Sequence, residues 1–169
     1  MLQLFHSFML KKIIDSKSFY FTYHLAILIV AGHFFSFICP YVLSNGECDV
    51  DYLENTDGLL KIFIAGSIIG PFLETALFQY LPITLFYKYV NNRSIVNIYI
   101  LIVVSSLVFG FTHNYNVLTI IDATFAGIVF SRTFIFFRNQ NKSGFFYTFL
   151  IHALFNTYAF ILDDVLKVS

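Results

Sequence analysis

From Ser18 to Gly46 the chain carries no Asp, Glu, Lys or Arg. An uncharged apolar run of that length exceeds the roughly 20 residues a helix needs to cross a bilayer. In hydrocarbon the backbone must satisfy its own hydrogen bonds, and a continuous apolar run does so as a helix. Further apolar runs follow, and the expected spans are about 19–43, 59–89, 94–113, 117–137 and 144–165. Composition agrees: charged residues are 12% and mean hydropathy is +0.76, whereas soluble domains carry about 25% charged residues. The expected fold is all-α, a polytopic membrane bundle of five transmembrane helices, with residues 19–169 forming a single membrane domain. The formal net charge is zero, so no basic field favours a nucleic-acid partner. The 23 Phe and 11 Tyr, with no Trp, suggest helices packed through aromatic rings.

Residues 1–18 mix apolar positions with Lys11, Lys12 and Lys17, which suits a short helix on the membrane surface or a frayed tail. No small-x-small cleavage site follows the first apolar run, so the segment reads as part of the mature chain. The stretch after the first span is acidic, with Glu47, Asp49, Asp51, Glu54 and Asp57. The loops Lys88–Arg93 and Arg138–Lys142 are basic. Positive residues stay cytoplasmic, which puts the N-terminus and both basic loops inside and the acidic loop outside. An integral protein of a bacterial cytoplasmic membrane is the expected setting. Cys39 and Cys48 are too few for a disulfide framework, and two free thiols are the expected reading, with pairing the alternative. His6 is expected to face solvent. His24 and His33 lie on different turns of the first span and read as packing histidines with local partners.

The second span holds one acid. Between Lys61 and Lys88 the only charged side chain is Glu74. An unpaired carboxylate in lipid costs about 2.5–3.5 kcal/mol even on mild insertion scales, so Glu74 needs a partner or a watery cavity. The run from Gly58 to Tyr89 also exceeds one straight crossing, and Gly70-Pro71 is expected to break it. A fresh helix starting at Pro71 would set Glu74 in a first turn, where free amides and the helix dipole stabilise an anion. The alternative is a kinked helix whose Glu74 bonds a neighbouring Ser or Tyr.

Two later spans also carry polar groups. The third ends at Phe109-Gly110-Phe111-Thr112-His113. The fourth has Asp122 near its start, the small pair Ala126-Gly127 that permits close helix approach, and Arg132 and Arg138 snorkelling inward. The fifth carries His152 and Asn156, which share a helix face. Glu74, His113, His152 and Asn156 therefore form a candidate catalytic set. Its chemistry would be hydrolysis, with Glu74 as general base on a water that His113 holds. His152 and Asn156 would donate to the oxyanion of a cleaved amide. For these to meet, the third span must continue past His113 or the spans must tilt, and the site is expected near mid-membrane. Glu74, His113 and His152 are also possible ligands if a metal is present, although the His-Glu-x-x-His pattern does not occur. No cofactor is otherwise implied.

Three segments resemble the motifs of the CPBP family, the CAAX proteases and bacteriocin-processing enzymes also called Abi. Pro71 through Gln79 is similar to its Glu-Glu-x-x-x-Arg motif, Phe109 and His113 to Phe-x-x-x-His, and His152 and Asn156 to His-x-x-x-Asn. Order and spacing agree over residues 59–160. The resemblance implies an α-helical intramembrane endopeptidase, with Glu74 and His113 activating water and His152 and Asn156 stabilising the oxyanion. Its substrates would be membrane-associated peptides or proteins. This chain departs from the pattern at Thr75 and Gln79, which stand where the second Glu and the Arg would pair. Being four apart on one helix face, Thr75 and Gln79 could bond instead. They and Phe109 are expected supports of the site. Two other readings are kept: a non-catalytic relative such as a scaffold or bacteriocin-immunity-type protein, and a small transporter, for which the expected inverted repeat or acid chain is not visible.

Overall fold

Four of the five long helices begin on a residue suited to cap them. Ser16 Oγ accepts from Phe19 N, Ser94 Oγ from Asn97 N, Asn116 Oδ1 from Thr119 N and Ser143 Oγ from Phe146 N. The computed structural model describes residues 16–43, 58–92 and 94–166. Within them run α1 (Lys17–Val42), α2 (Leu59–Tyr89), α3 (Ile95–Thr112), α4 (Val117–Asn139) and α5 (Gly144–Leu166), all long and apolar enough to cross a membrane. The described residues contain no strand. Most of the expected interfacial segment and the acidic loop lie outside the described residues.

The α4–α5 turn is closed by Asn141 at φ 54°. Lys142 N donates to Phe137 O and Asn141 N to Arg138 O, which satisfies the last carbonyls of α4 as a Schellman cap does. Helix α4 lies at the centre: half of its apolar window is buried, against 11–28% for the other helices. Around it Leu28, Phe109, Ala123, Ala126, Val129, Phe130 and Ile151 form the core. The outward faces keep large apolar side chains exposed, such as Val30, Leu60 and Val104, as a lipid-facing surface requires.

Close approach of α3 and α4 depends on two glycines. A Cβ on Gly127 would sit 3.0 Å from Ser106 Cα and 3.1 Å from the Phe109 ring. One on Gly110 would collide with Thr124 Oγ1 and lie 2.8 Å from the Ile120 carbonyl. The pair thus fixes Phe109, and through it the turn that carries His113. Gly110→Ala is expected to cost about 1–3 kcal/mol by overpacking, read from unfolding in mixed micelles.

Helix α2 is interrupted in hydrogen-bond register and not in backbone conformation. Residues Ile64–Ile69 and Thr75–Tyr80 are π-helical, and Gly70 between them stays right-handed helical at φ −54°, ψ −60°. No fresh helix starts at Pro71, so Glu74 is not held by free amides; the turn after it is already bonded, with Thr75 N donating to Pro71 O and Phe72 O. Each π segment ends two residues before a proline. Gly70 N donates to Ala65 O, and in that register the next donor would be Pro71 N onto Gly66 O, which proline cannot supply. Leu81 N likewise donates to Ala76 O, and Pro82 then fails the carbonyls one turn back. Neighbouring helices replace the lost donors. Asn156 Nδ2 of α5 donates to Gly66 O at 2.9 Å, and Ser105 Oγ of α3 donates to Phe78 O. The widened turns are thereby tied to the helices on either side.

The first-span histidines pack, but their partners are distant in sequence. His24 Nδ1 meets Thr133 Oγ1 of α4 at 2.6 Å, and His33 Nε2 meets Tyr158 Oη of α5 at 2.6 Å. Cys39 is disulfide-bonded, so the expectation of two free thiols does not hold; Cys48, the chain's other cysteine, lies outside the described residues.

Candidate active site

Helices α2 and α5 run antiparallel along one contact seam. The pairs Phe63–Phe160, Phe72–Phe149 and Tyr80–Phe145 descend α5 as they climb α2. Glu74 stands at the midpoint of α2, and there the seam brings it to His152. The His152 Nε2 to Glu74 Oε2 separation is 3.4 Å. His152 is buried, whereas the Glu74 side chain remains 30% exposed, enough for a reactant to approach it. The ring of His152 stacks on Phe130 at 4.2 Å and meets Phe109 edge-on at 5.9 Å.

His113 reaches the same place by a route the sequence does not show. Helix α3 ends at Thr112, and His113 is its C-cap, so the span does not continue past it. Instead the imidazole folds back over the last turn. Its Nδ1 lies 3.0 Å from Phe109 O, and its ring is 4.6 Å from the Phe109 ring. A carbonyl only accepts, so Nδ1 carries a proton and donates to Phe109 O. Phe109 thus touches both imidazoles. His113 lies close enough to act electrostatically on Glu74, His152 and Asp122.

Asn156 faces α2, as its spacing from His152 requires, but its Nδ2 is engaged by Gly66 O. The carboxamide keeps one further N–H. Asn156→Leu is expected to cost about 1–2 kcal/mol, the range of hydrogen bonds inside membranes. That loss should shrink in a Pro71→Ala background, because alanine returns the missing amide to Gly66 O. A double-mutant cycle in mixed micelles measures the difference.

Thr75 and Gln79 do not bond each other. Both are fully buried, and Thr75 Oγ1 and both Gln79 amide atoms lack a hydrogen-bond partner. Their spacing puts them on one face but does not bring the short threonine hydroxyl and the amide into bonding geometry. Asp122, placed by sequence near the start of the fourth span, was not grouped with the site. The signal that would have added it is its position nine residues beyond His113 across a tight turn. No group of three or more His, Cys, Asp or Glu among the described residues is arranged to hold a metal ion.

A family model described as type II CAAX prenyl endopeptidase Rce1-like matches residues 56–158. No curated protein and no solved structure matches the chain. The matched stretch begins just before α2 and ends two residues past Asn156, so it contains Glu74, His113, His152 and Asn156.

Proposed function

Because the chain belongs to the Rce1-like family, we propose that it is an intramembrane endopeptidase whose Glu74 activates water against a peptide bond. The single observation that supports this most is the 3.4 Å approach of His152 Nε2 to Glu74 Oε2 between antiparallel spans. An ionisable residue inside a membrane span marks a functional site by default, and here two of them from separate helices meet.

In this reading Glu74 takes a proton from a water held by His113 Nε2, and the water oxygen attacks the substrate carbonyl carbon. His152 Nε2–H and the remaining Asn156 N–H donate to the oxyanion that forms. Collapse breaks the C–N bond, and the proton on Glu74 passes to the leaving amine. The products are a carboxylic acid and an amine, and transfer of the acid's proton to the amine leaves a carboxylate and an ammonium. The substrate class is a membrane-associated peptide or protein, prenylated C-terminal peptides first among them. The N-terminus and basic loops face the cytoplasm; the disulfide at Cys39 supports an oxidising space beside the acidic loop.

The test is cleavage of prenylated and leader-type peptides in vesicles carrying the purified protein, followed by mass spectrometry. One bond in a peptide pool should be cut by the wild type and spared by Glu74→Ala. Cleavage that persists in Glu74→Ala overturns the role of Glu74. The uncharged Thr75 and Gln79 favour a second reading, a non-catalytic scaffold or immunity-type relative. Under it, a cellular phenotype would survive both Glu74→Gln and His113→Ala.

A further inference from the structure

Five buried polar residues lie on the three helices α2, α4 and α5, with His152 among them. Thr75 Oγ1, Gln79 Oε1 and Nε2, Ser131 Oγ, Thr148 Oγ1 and His152 Nδ1 have no hydrogen-bond partner. None of these residues is more than 3% exposed. An unsatisfied buried hydroxyl or amide is costly in an apolar setting, and five close together are not an accident of packing.

Their positions are bracketed by neighbouring contacts. Thr75 and Gln79 lie on α2 between the Glu74–His152 approach and the Tyr80–Phe145 ring pair at 5.9 Å. Thr148 lies on the facing stretch of α5, one turn before His152 and three residues after Phe145. Ser131 of α4 follows Phe130, whose ring stacks on His152, and precedes Phe134, which meets Tyr80 at 6.2 Å. All five therefore lie at one level of the bundle, where α2, α4 and α5 meet.

A neutral imidazole has one N–H and one acceptor nitrogen. His152 Nε2 faces the carboxylate, so the group behind it decides which nitrogen holds the proton. We propose that Gln79, with Thr75, Ser131 and Thr148, forms a polar cluster that donates to His152 Nδ1, directly or across one enclosed water. Occupying Nδ1 as an acceptor places the proton on Nε2, where it points at the reaction centre. The cluster also satisfies the amide of Gln79 and the three hydroxyls, each of which can donate or accept. Gln79 and Thr148 are positioning residues in this assignment, which rests on the endopeptidase reading for its consequence but not for its geometry.

The experiment uses the full chain in lipid nanodiscs with 15N-labelled histidine. The His152 signals are assigned by their loss in His152→Gln. The wild type should show an unprotonated, hydrogen-bonded Nδ1 and a protonated Nε2. Gln79→Leu and Thr148→Val should shift the Nδ1 resonance and weaken the tautomer preference, while Thr148→Ser should restore it. In the cleavage assay the same two variants should lower kcat about 10-fold or more with KM little changed, as expected for a displaced catalytic group. His152 signals that are the same in wild type, Gln79→Leu and Thr148→Val overturn the inference. If cleavage depends on Glu74 and the signals do not respond, the cluster fails and the endopeptidase reading stands. If the signals respond and no peptide is cut, the reverse holds.

Discussion

Glu74→Gln is expected to lower peptide cleavage by about 10²–10⁴-fold, the usual contribution of a positioned general base. Glutamine keeps the length and shape of the side chain. It can still accept from His152 Nε2, the atom now 3.4 Å from Glu74 Oε2, so the α2–α5 seam should survive. It cannot take the proton of an attacking water. The loss should therefore fall on kcat, with melting behaviour in detergent close to wild type. Glu74→Ala should be equally inactive, since both variants remove the same step. A Glu74→Gln protein that cleaves at the wild-type rate would place the base elsewhere, with Asp122 the next carboxylate to test because it acts on the same imidazole.

His152→Phe is expected to lower kcat by about 10²–10³-fold, the typical effect of removing one oxyanion donor. Phenylalanine is the informative replacement. His152 is buried against Phe130 at 4.2 Å and Phe109 at 5.9 Å, and a phenyl ring can keep both contacts. Alanine would open a cavity instead, and its stability loss of several kcal/mol would obscure the chemistry. A donor that matters only as charge develops should leave KM nearly unchanged. A His152→Phe variant that loses substrate binding and keeps kcat would assign the residue to recognition.

The five spans were legible because hydropathy acts locally: each expected span lies within two residues of the observed helix at both ends. The helix starts were legible for the same reason, since Ser94, Asn116 and Ser143 cap the turns that follow them. The convergence of Glu74 on His152 followed from the scarcity of charge, because a buried acid has few partners to choose from. The small pair Ala126-Gly127 likewise marked where α3 lies against α4.

What was not legible depends on register and on side-chain direction. Pro71 announced an interruption in α2, but a lost donor can be absorbed by a new helix start or by a π segment. The choice is made by Asn156 and Ser105, which come from other helices and satisfy the freed carbonyls. His113 was expected to need a longer third span or tilted spans; its ring instead folds onto the Phe109 turn. Thr75 and Gln79 were expected to bond along their own helix, yet both are fully buried and their side-chain atoms find no partner there. The partners of His24 and His33 belong to α4 and α5 for the same reason.

The contact on which the proposed chemistry depends can be measured without any substrate. A 13C–15N dipolar recoupling experiment on the protein in lipid, between the Glu74 side-chain carboxyl carbon and His152 Nε2, reports their separation. A coupling that matches the 3.4 Å oxygen–nitrogen approach, and that vanishes in His152→Phe, is the expected result. No measurable coupling, with the Glu74 carboxyl in contact with lipid acyl protons instead, would contradict it.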